Sequence, residues 1–194
     1  MPYRAQSTVA KVSQSKILVV AATEQEAAHI PSDFKVLITG MGKVAAAVAM
    51  AAELGKYPPT DMPLVINIGT CGGLHEHRSG LFTPSIVLNH DFSADVLRKF
   101  GHDVVDTLHI PDGDGTVLAT GDLFVSDPAA RDVLAASADL VDMEGFAIAF
   151  ACDRVGARCR LVKHVTDKAD EAALTWPELI DESARELGEW LAAL

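Results

Sequence analysis

Acidic side chains in this sequence gather at four places where an apolar run gives way to a loop or a helix. Glu24 and Glu26 follow Lys16–Ala22 (KILVVAA), and Asp122 follows Thr116–Ala119 (TVLA). Asp142 and Glu144 flank Met143 ahead of an apolar segment, and Asp167 and Asp170 follow Arg160–Val165 (RLVKHV). Taken singly, each has a structural use, because a carboxylate near a helix N-terminus offsets the helix dipole and satisfies free N–H groups. Crowded together, carboxylates raise one another's pKa values and divide into proton donors and proton acceptors. Cleavage of an N-glycosidic bond by water needs both roles. A protonated carboxyl makes the base a better leaving group, a carboxylate orients and deprotonates the water, and another holds the sugar hydroxyls. Attack by phosphate would instead call for arginines around the anion.

These residues can act together only if the fold brings the segment ends to one place. Short apolar runs alternate with helical patterns along the chain, the arrangement of an α/β domain. The other runs are Lys35–Thr39 (KVLIT), Leu64–Ile68 (LVINI) and Ser85–Leu88 (SIVL). Several lack in/out alternation, which predicts strands covered on both faces. Helices are predicted over 43–54, 128–138, 144–155 and 177–194. The expected fold is a single α/β domain over 1–194 with a mixed, largely parallel sheet flanked by helices, and residues 1–15 are a frayed lead-in. Parallel strands would gather their carboxyl ends, and these acids, on one edge. The stretch 89–114 shows no clear element and carries the turn signal Pro111–Gly115 (PDGDG), which predicts a functional loop or lid.

Two glycine turns are expected after strands. Gly40-Met41-Gly42 follows KVLIT, and Gly69-Thr70-Cys71-Gly72-Gly73 follows LVINI, with Gly72 a place where the backbone can approach a ligand. Gly40-x-Gly42-x-x-Ala45 formally matches a dinucleotide fingerprint. That fingerprint wants an acid ending the next strand, whereas Asp61 follows Pro58-Pro59 and falls in a loop.

Composition removes several classes of function. The 194 residues carry a formal net charge of −11, which repels phosphate backbones and argues against a nucleic-acid partner. Hydrophobic residues make up 49% and charged residues 22%, as in a globular protein rather than a disordered one. No apolar run is long enough for a membrane helix, and the N-terminus lacks the apolar core of a secretory signal. The three cysteines, Cys71, Cys152 and Cys159, form no paired framework, so reduced thiols in the cytoplasm are expected. The spacing of the seven histidines forces no metal site, so none is expected, nor any other cofactor. His90 and Asp91 are candidates for a ribose 5′ contact. Cys71 reads as a small packed residue, and Trp176 and Trp190 as anchors of a terminal helix docked on the core.

Five segments occur in the order found in one family: KILVVAATEQEA at 16–27, GMGKVAAA at 40–47, INIGTCGGL at 66–74, VDMEGFAIA at 141–149 and HVTDKAD at 164–170. A sixth, TGDLFVSD at 120–127, is similar to the family's SGD-x-F segment. The chain thus resembles the nucleoside phosphorylase superfamily, and within it the 5′-methylthioadenosine/S-adenosylhomocysteine nucleosidases. The resemblance implies a purine nucleoside as the small-molecule partner, a homodimer, and hydrolysis of the nucleoside to free base and pentose. It places the water-orienting carboxylate at Glu26 and the purine-protonating acid at Asp167, with Thr166 beside it. It places the ribose-binding pair at Met143 and Glu144, the basic residue before the acid at Lys163, the small hydroxyl residue at Thr70 and the purine-contacting aromatic at Phe124. Phosphorylases of the superfamily carry an arginine in the first loop. Ala21–Ala28 has none, which favours water over phosphate. A purine nucleoside phosphorylase and a non-catalytic nucleoside-binding relative are the alternatives. Few residues separate the first loop from GMGKV, so the hairpin usually found there is largely missing. That hairpin helps form the 5′-substituent pocket and the usual dimer interface.

Overall fold

The five apolar residues Ile17–Ala21 form strand β1, and every one is buried, as a strand covered on both faces must be. A computed structural model, which describes residues 16–194, sets β1 in a nine-stranded sheet. The lead-in read into residues 1–15 lies outside the described residues. Strands β2 (Lys35–Ile38) and β3 (Leu64–Gly73) flank β1 in parallel. Two short strands, β4 (Gly80–Phe82) and β6 (Thr107–His109), lie antiparallel to β9 (Cys159–Asp167) and β5 (Ile86–Asn89). Strands β5, β7 (Val117–Thr120) and β8 (Leu140–Asp142) form one parallel set, while β9 lies parallel to β3.

Alternation along β1 assigns the two faces of the sheet. Leu18 and Val20 pack with Ala46, Met50 and Leu54 of α1 (Lys43–Leu54) and with Ile148 and Cys152 of α4 (Gly145–Val155). Ile17 and Val19 pack with Leu187 and Leu191 of the terminal helix α5 (Trp176–Ala192). That helix buries Ile180, Ala184, Leu187 and Leu191, the spacing of one helical stripe. The sheet is therefore mixed, largely parallel and flanked by helices, as expected.

Three expectations need correction. The sheet has no single rim of strand ends. The two parallel sets meet head-on where β8 lies antiparallel to β3, with Gly72 opposite Val141 and Gly73 opposite Leu140. The carboxyl end of β8 thus points back along β3 toward Thr70, so the acids meet at a seam inside the sheet. The glycine-rich stretch 69–73 is not a turn but the second half of β3, kept in the sheet by pairing with β9 and β8. Finally, the stretch 89–114 is not free of elements. It contains α2 (Ala94–Lys99) and β6, each too short to leave a clear periodic pattern. The remaining helix, α3 (Pro128–Ala135), starts where Asp127 accepts a hydrogen bond from the Ala129 N–H at 3.1 Å. Among the described residues no helix is long and apolar enough to cross a membrane.

Candidate active site

A cavity opens at the seam between the two strand sets. Glu26, Glu144 and Asp167, from three distant parts of the chain, all line it. Met143, Thr70, Gly72, Phe124 and Thr166 line it as well. Lys163 lies behind the lining, and Asp122, Asp170, His90 and Asp91 fall outside it.

Each carboxylate is held by backbone. Glu26 is 4% exposed in the turn after β1, whereas neighbouring Glu24 points to solvent. Its Oε1 accepts hydrogen bonds from the Thr70 N–H at 2.8 Å and the Thr70 hydroxyl at 2.9 Å. Its Oε2 accepts from the N–H and the hydroxyl of Thr23, both at the longer 3.2 Å. Gly69 favours this approach, since a Cβ there would sit 3.1 Å from Glu26 Oε1 and press on the carboxylate. Glu144 Oε1 accepts from the Gly42 N–H at 2.7 Å. Gly42, at φ +89°, turns the chain into α1 in a conformation that favours glycine.

Asp167 owes its position to an irregularity in β9. Pairing with β3 runs from Cys71–Val165 directly to Gly72–Asp167, so Thr166 is the extra residue of a bulge. Adjacent residues of a regular strand face opposite sides of a sheet, whereas a bulge re-aims one of them. Thr166 and Asp167 therefore both reach the cavity. The Thr166 hydroxyl donates to Asp167 Oδ2 at 2.6 Å, and the Ala169 N–H donates to Oδ1 at 2.8 Å. A Cβ on Gly72 would lie 3.2 Å from Asp167 Oδ1. Strand residues rise about 3.3 Å each, so Gly69 beside Glu26 and Gly72 beside Asp167 stand about 10 Å apart.

A buried ion pair forms the floor. Lys163 Nζ lies 2.8 Å from Asp142 Oδ2, with both side chains 1% exposed. Asp142 also accepts from the Thr120 hydroxyl at 2.6 Å and from the Gly145 N–H at 2.9 Å, so its remaining lone pairs are satisfied. Burial pushes the Lys163 ammonium down, but Asp142, Glu144 and Glu26 outweigh it and hold the group above its ordinary value. Burial and the nearby Asp142 push Glu144 up to about 7, against the pull of Lys163. Burial likewise pushes the Cys71 thiol up, which leaves it protonated and in the packing role expected of it.

Just outside the cavity, Lys43, Asp91 and Asp122 are occupied by one another. Asp122 caps α1 by accepting from the Lys43 N–H at 2.8 Å. Asp91 accepts from Lys43 Nζ and, at 2.8 Å, from the Asp122 N–H. The His90 ring lies against Gly121, and burial pushes its pKa down. Asp61 pairs with Lys16 at 2.7 Å, far from any glycine turn, which leaves the dinucleotide fingerprint without its acid. Arg78 is bound to Asp139 at 2.5 Å, and no basic side chain lines the cavity among the described residues. Nor do three or more His, Cys, Asp or Glu side chains among those residues converge as metal ligands.

Sequence reasoning missed two parts of the site. Trp176 was expected only to anchor α5 on the core. Its ring lines the cavity, and its indole N–H donates to the Thr70 hydroxyl at 2.9 Å. Trp190 does pack on the core. Asp142 was read as one acid of a pair, and its bond to Lys163 was not foreseen, because neither residue's partner is visible in local spacing.

Comparison with known proteins agrees with this architecture. The chain is 30% identical over 101 residues to an aminodeoxyfutalosine nucleosidase of Helicobacter pylori strain J99, covering 50% of this chain and 44% of that protein. The shared stretch is thus less than half of that relative's length. It is 25% identical over 166 residues to a 5′-methylthioadenosine/S-adenosylhomocysteine nucleosidase of Shewanella sp. strain W3-18-1, covering 71% and 69%. The fold superposes on the Helicobacter pylori 5′-methylthioadenosine/S-adenosylhomocysteine nucleosidase with a TM-score of 0.79 at 19% identity, over 94% of this chain and 98% of that one. The Neisseria meningitidis enzyme in complex with methylthio-immucillin-A gives 0.75 at 20% identity, over 92% and 99%. Residues 93–194, just over half of the sequence, match the Phosphorylase superfamily model and contain β7, β8, the bulged β9 and three of the four carboxylates that line the cavity, Asp142, Glu144 and Asp167. The chain belongs to the Phosphorylase superfamily.

Proposed function

We propose that this protein is a purine nucleosidase, an N-glycosyl hydrolase that uses water to cleave a 5′-methylthioadenosine- or S-adenosylhomocysteine-like nucleoside. The observation that carries the proposal is the convergence of Glu26, Glu144 and Asp167 on one cavity whose lining holds no basic side chain among the described residues. Four hydrogen bonds already engage Glu26. The long pair from Thr23 leaves Oε2 as the oxygen best able to share its lone pairs with a water. A phosphate dianion would meet Glu26 with no basic side chain in the lining to bind it, since the nearby Lys163 lies behind the lining and is paired with Asp142.

In the proposed reaction the purine lies between Asp167 and the exposed ring of Phe124, with Met143 against the ribose. Asp167 delivers a proton to purine N7 as the C1′–N9 bond breaks. Glu26 draws a proton from the water that attacks C1′, and Glu144 holds the 2′ and 3′ hydroxyls with the oxygen not engaged by Gly42. The products are free base and free pentose. Nucleosidases acting on different 5′ substituents are among the relatives, which sets the range of substrates to test.

Base release from methylthioadenosine, S-adenosylhomocysteine, adenosine, inosine and futalosine, with and without phosphate, tests the proposal. Release without phosphate, fastest from the 5′-thio adenine nucleosides, is expected. Strict phosphate dependence would make the protein a phosphorylase, and binding without release would make it a nucleoside-binding relative. Either result overturns the proposal.

A further inference from the structure

The hydroxyl of Thr70 has two partners, and they point in one direction. It donates to Glu26 Oε1 at 2.9 Å and accepts from the Trp176 indole N–H at 2.9 Å. An indole N–H can only donate. It therefore fixes the Thr70 oxygen as acceptor on that side and turns the hydroxyl proton toward Glu26. Without the indole, the hydroxyl could rotate and accept a bond from water or substrate instead, and Glu26 would lose a donor.

The element that carries Trp176 is tied to the Glu26 turn at two further points. His29, three residues after Glu26, bonds through Nε2 to Asp181 of α5 at 2.9 Å. Gly188 of α5 lies so close to this turn that a Cβ there would come within 2.3 Å of the His29 carbonyl oxygen. The same helix is locked to β9 by the Ser183–His164 hydrogen bond at 2.8 Å and to the core by Leu187 and Leu191. The indole thus sits at the start of a helix that is tied both to the Glu26 turn and to β9.

We propose that Trp176 is a positioning residue for Glu26, acting through the Thr70 hydroxyl. This inference rests on the nucleosidase reading for its effect on turnover, but the hydrogen-bond relay itself does not. Breaking a neutral hydrogen bond costs about 0.5–1.5 kcal/mol, or roughly a 2- to 12-fold change in rate.

Two measurements test it. In kinetics, Trp176→Phe keeps an aromatic ring and removes the donor. It is expected to lower kcat roughly 2- to 12-fold with little change in KM. Trp176→Phe should cause no further loss in a Thr70→Val background, because the second change then removes nothing. Parental kcat in Trp176→Phe, an effect confined to KM, or an undiminished loss in the Thr70→Val background would overturn the proposal. In nitrogen-15 spectra, the two indole N–H signals belong to Trp176 and Trp190. Thr70→Val should shift the Trp176 signal and speed its exchange with solvent, leaving that of Trp190 in place. Thr70→Ser should leave both in place. An unmoved Trp176 signal in Thr70→Val would overturn the relay. If the parent protein cleaves no nucleoside, the nucleosidase reading fails, and the indole spectra still decide the relay.

Discussion

Glu144 stands under two opposing demands, since the ribose-holding role proposed for it needs a place in the cavity lining, while it also lives beside Asp142 in a buried site. The result is a carboxyl held at about 7, against an ordinary 4.5, by burial and Asp142. Between those two pH values the folded protein keeps a proton that the unfolded chain has released. Its stabilising contribution is therefore complete below about 4.5 and is lost as pH rises through about 7. Glu144→Gln removes that dependence. Its stability relative to the parent is expected to increase from pH 4.5 to 7 by on the order of 3 kcal/mol and then level off, while activity falls. Denaturant unfolding of both proteins at pH 5 and pH 8 checks this, and parallel changes in the two would count against it. Lys163 has the reverse standing. It contributes no surface to the cavity, yet it is the cation that keeps Asp142 and Glu144 together on the floor.

Packing of α5 sets how freely the Glu26 turn can move. Gly188 faces backbone rather than a flexible side chain, so Gly188→Ala cannot be absorbed by a rotamer change. Overpacking of this kind typically costs about 1–3 kcal/mol. The variant is expected to unfold at lower denaturant and to lose turnover, whereas alanine at exposed Glu189, next along the same helix, should do neither. The sequence disclosed α5 and most other helices because long apolar stripes repeat at helical spacing. It disclosed β1 because a buried strand is a continuous apolar run, and β2 and β5 by their apolar β-branched and leucine residues although β2 is largely exposed. What it hid was short or set by distant partners. The strands β4, β6 and β8 have three residues each, and Leu140–Asp142 has no flanking pattern to mark it. The Thr166 bulge and the antiparallel meeting of β8 with β3 depend on register between segments far apart in the chain. The glycines at 69 and 72 are legible as places of close approach, but in sequence alone they read as a turn because glycine is common there. In the fold it is side chains from the Glu26 turn and β9 that press against them.

The cavity joins both halves of the chain. Glu26 and Thr70 come from the first half, Glu144, Asp167 and Trp176 from the second, and ordering a ligand between them should couple the two. A non-hydrolysable purine nucleoside analogue at 100 times its Kd is expected to stabilise the protein by about 2.7 kcal/mol. For a chain of this size that corresponds to a rise in Tm of roughly 5–10 °C. Thermal scans with the analogue and with free ribose check it, and an equal response to both would place the ligand elsewhere. The five family-like segments were legible in the sequence because each carries a backbone or side-chain contact to the site. Trp176 was not, since nothing in a terminal helix pattern says that its first residue turns inward. The most direct test of the three-carboxylate chemistry is turnover by Asp167→Asn in phosphate-free buffer, with analogue binding measured in parallel. Loss of about 10²–10⁴-fold in kcat with binding retained is expected when a general acid is removed. An Asp167→Asn protein as active as the parent would contradict the mechanism outright.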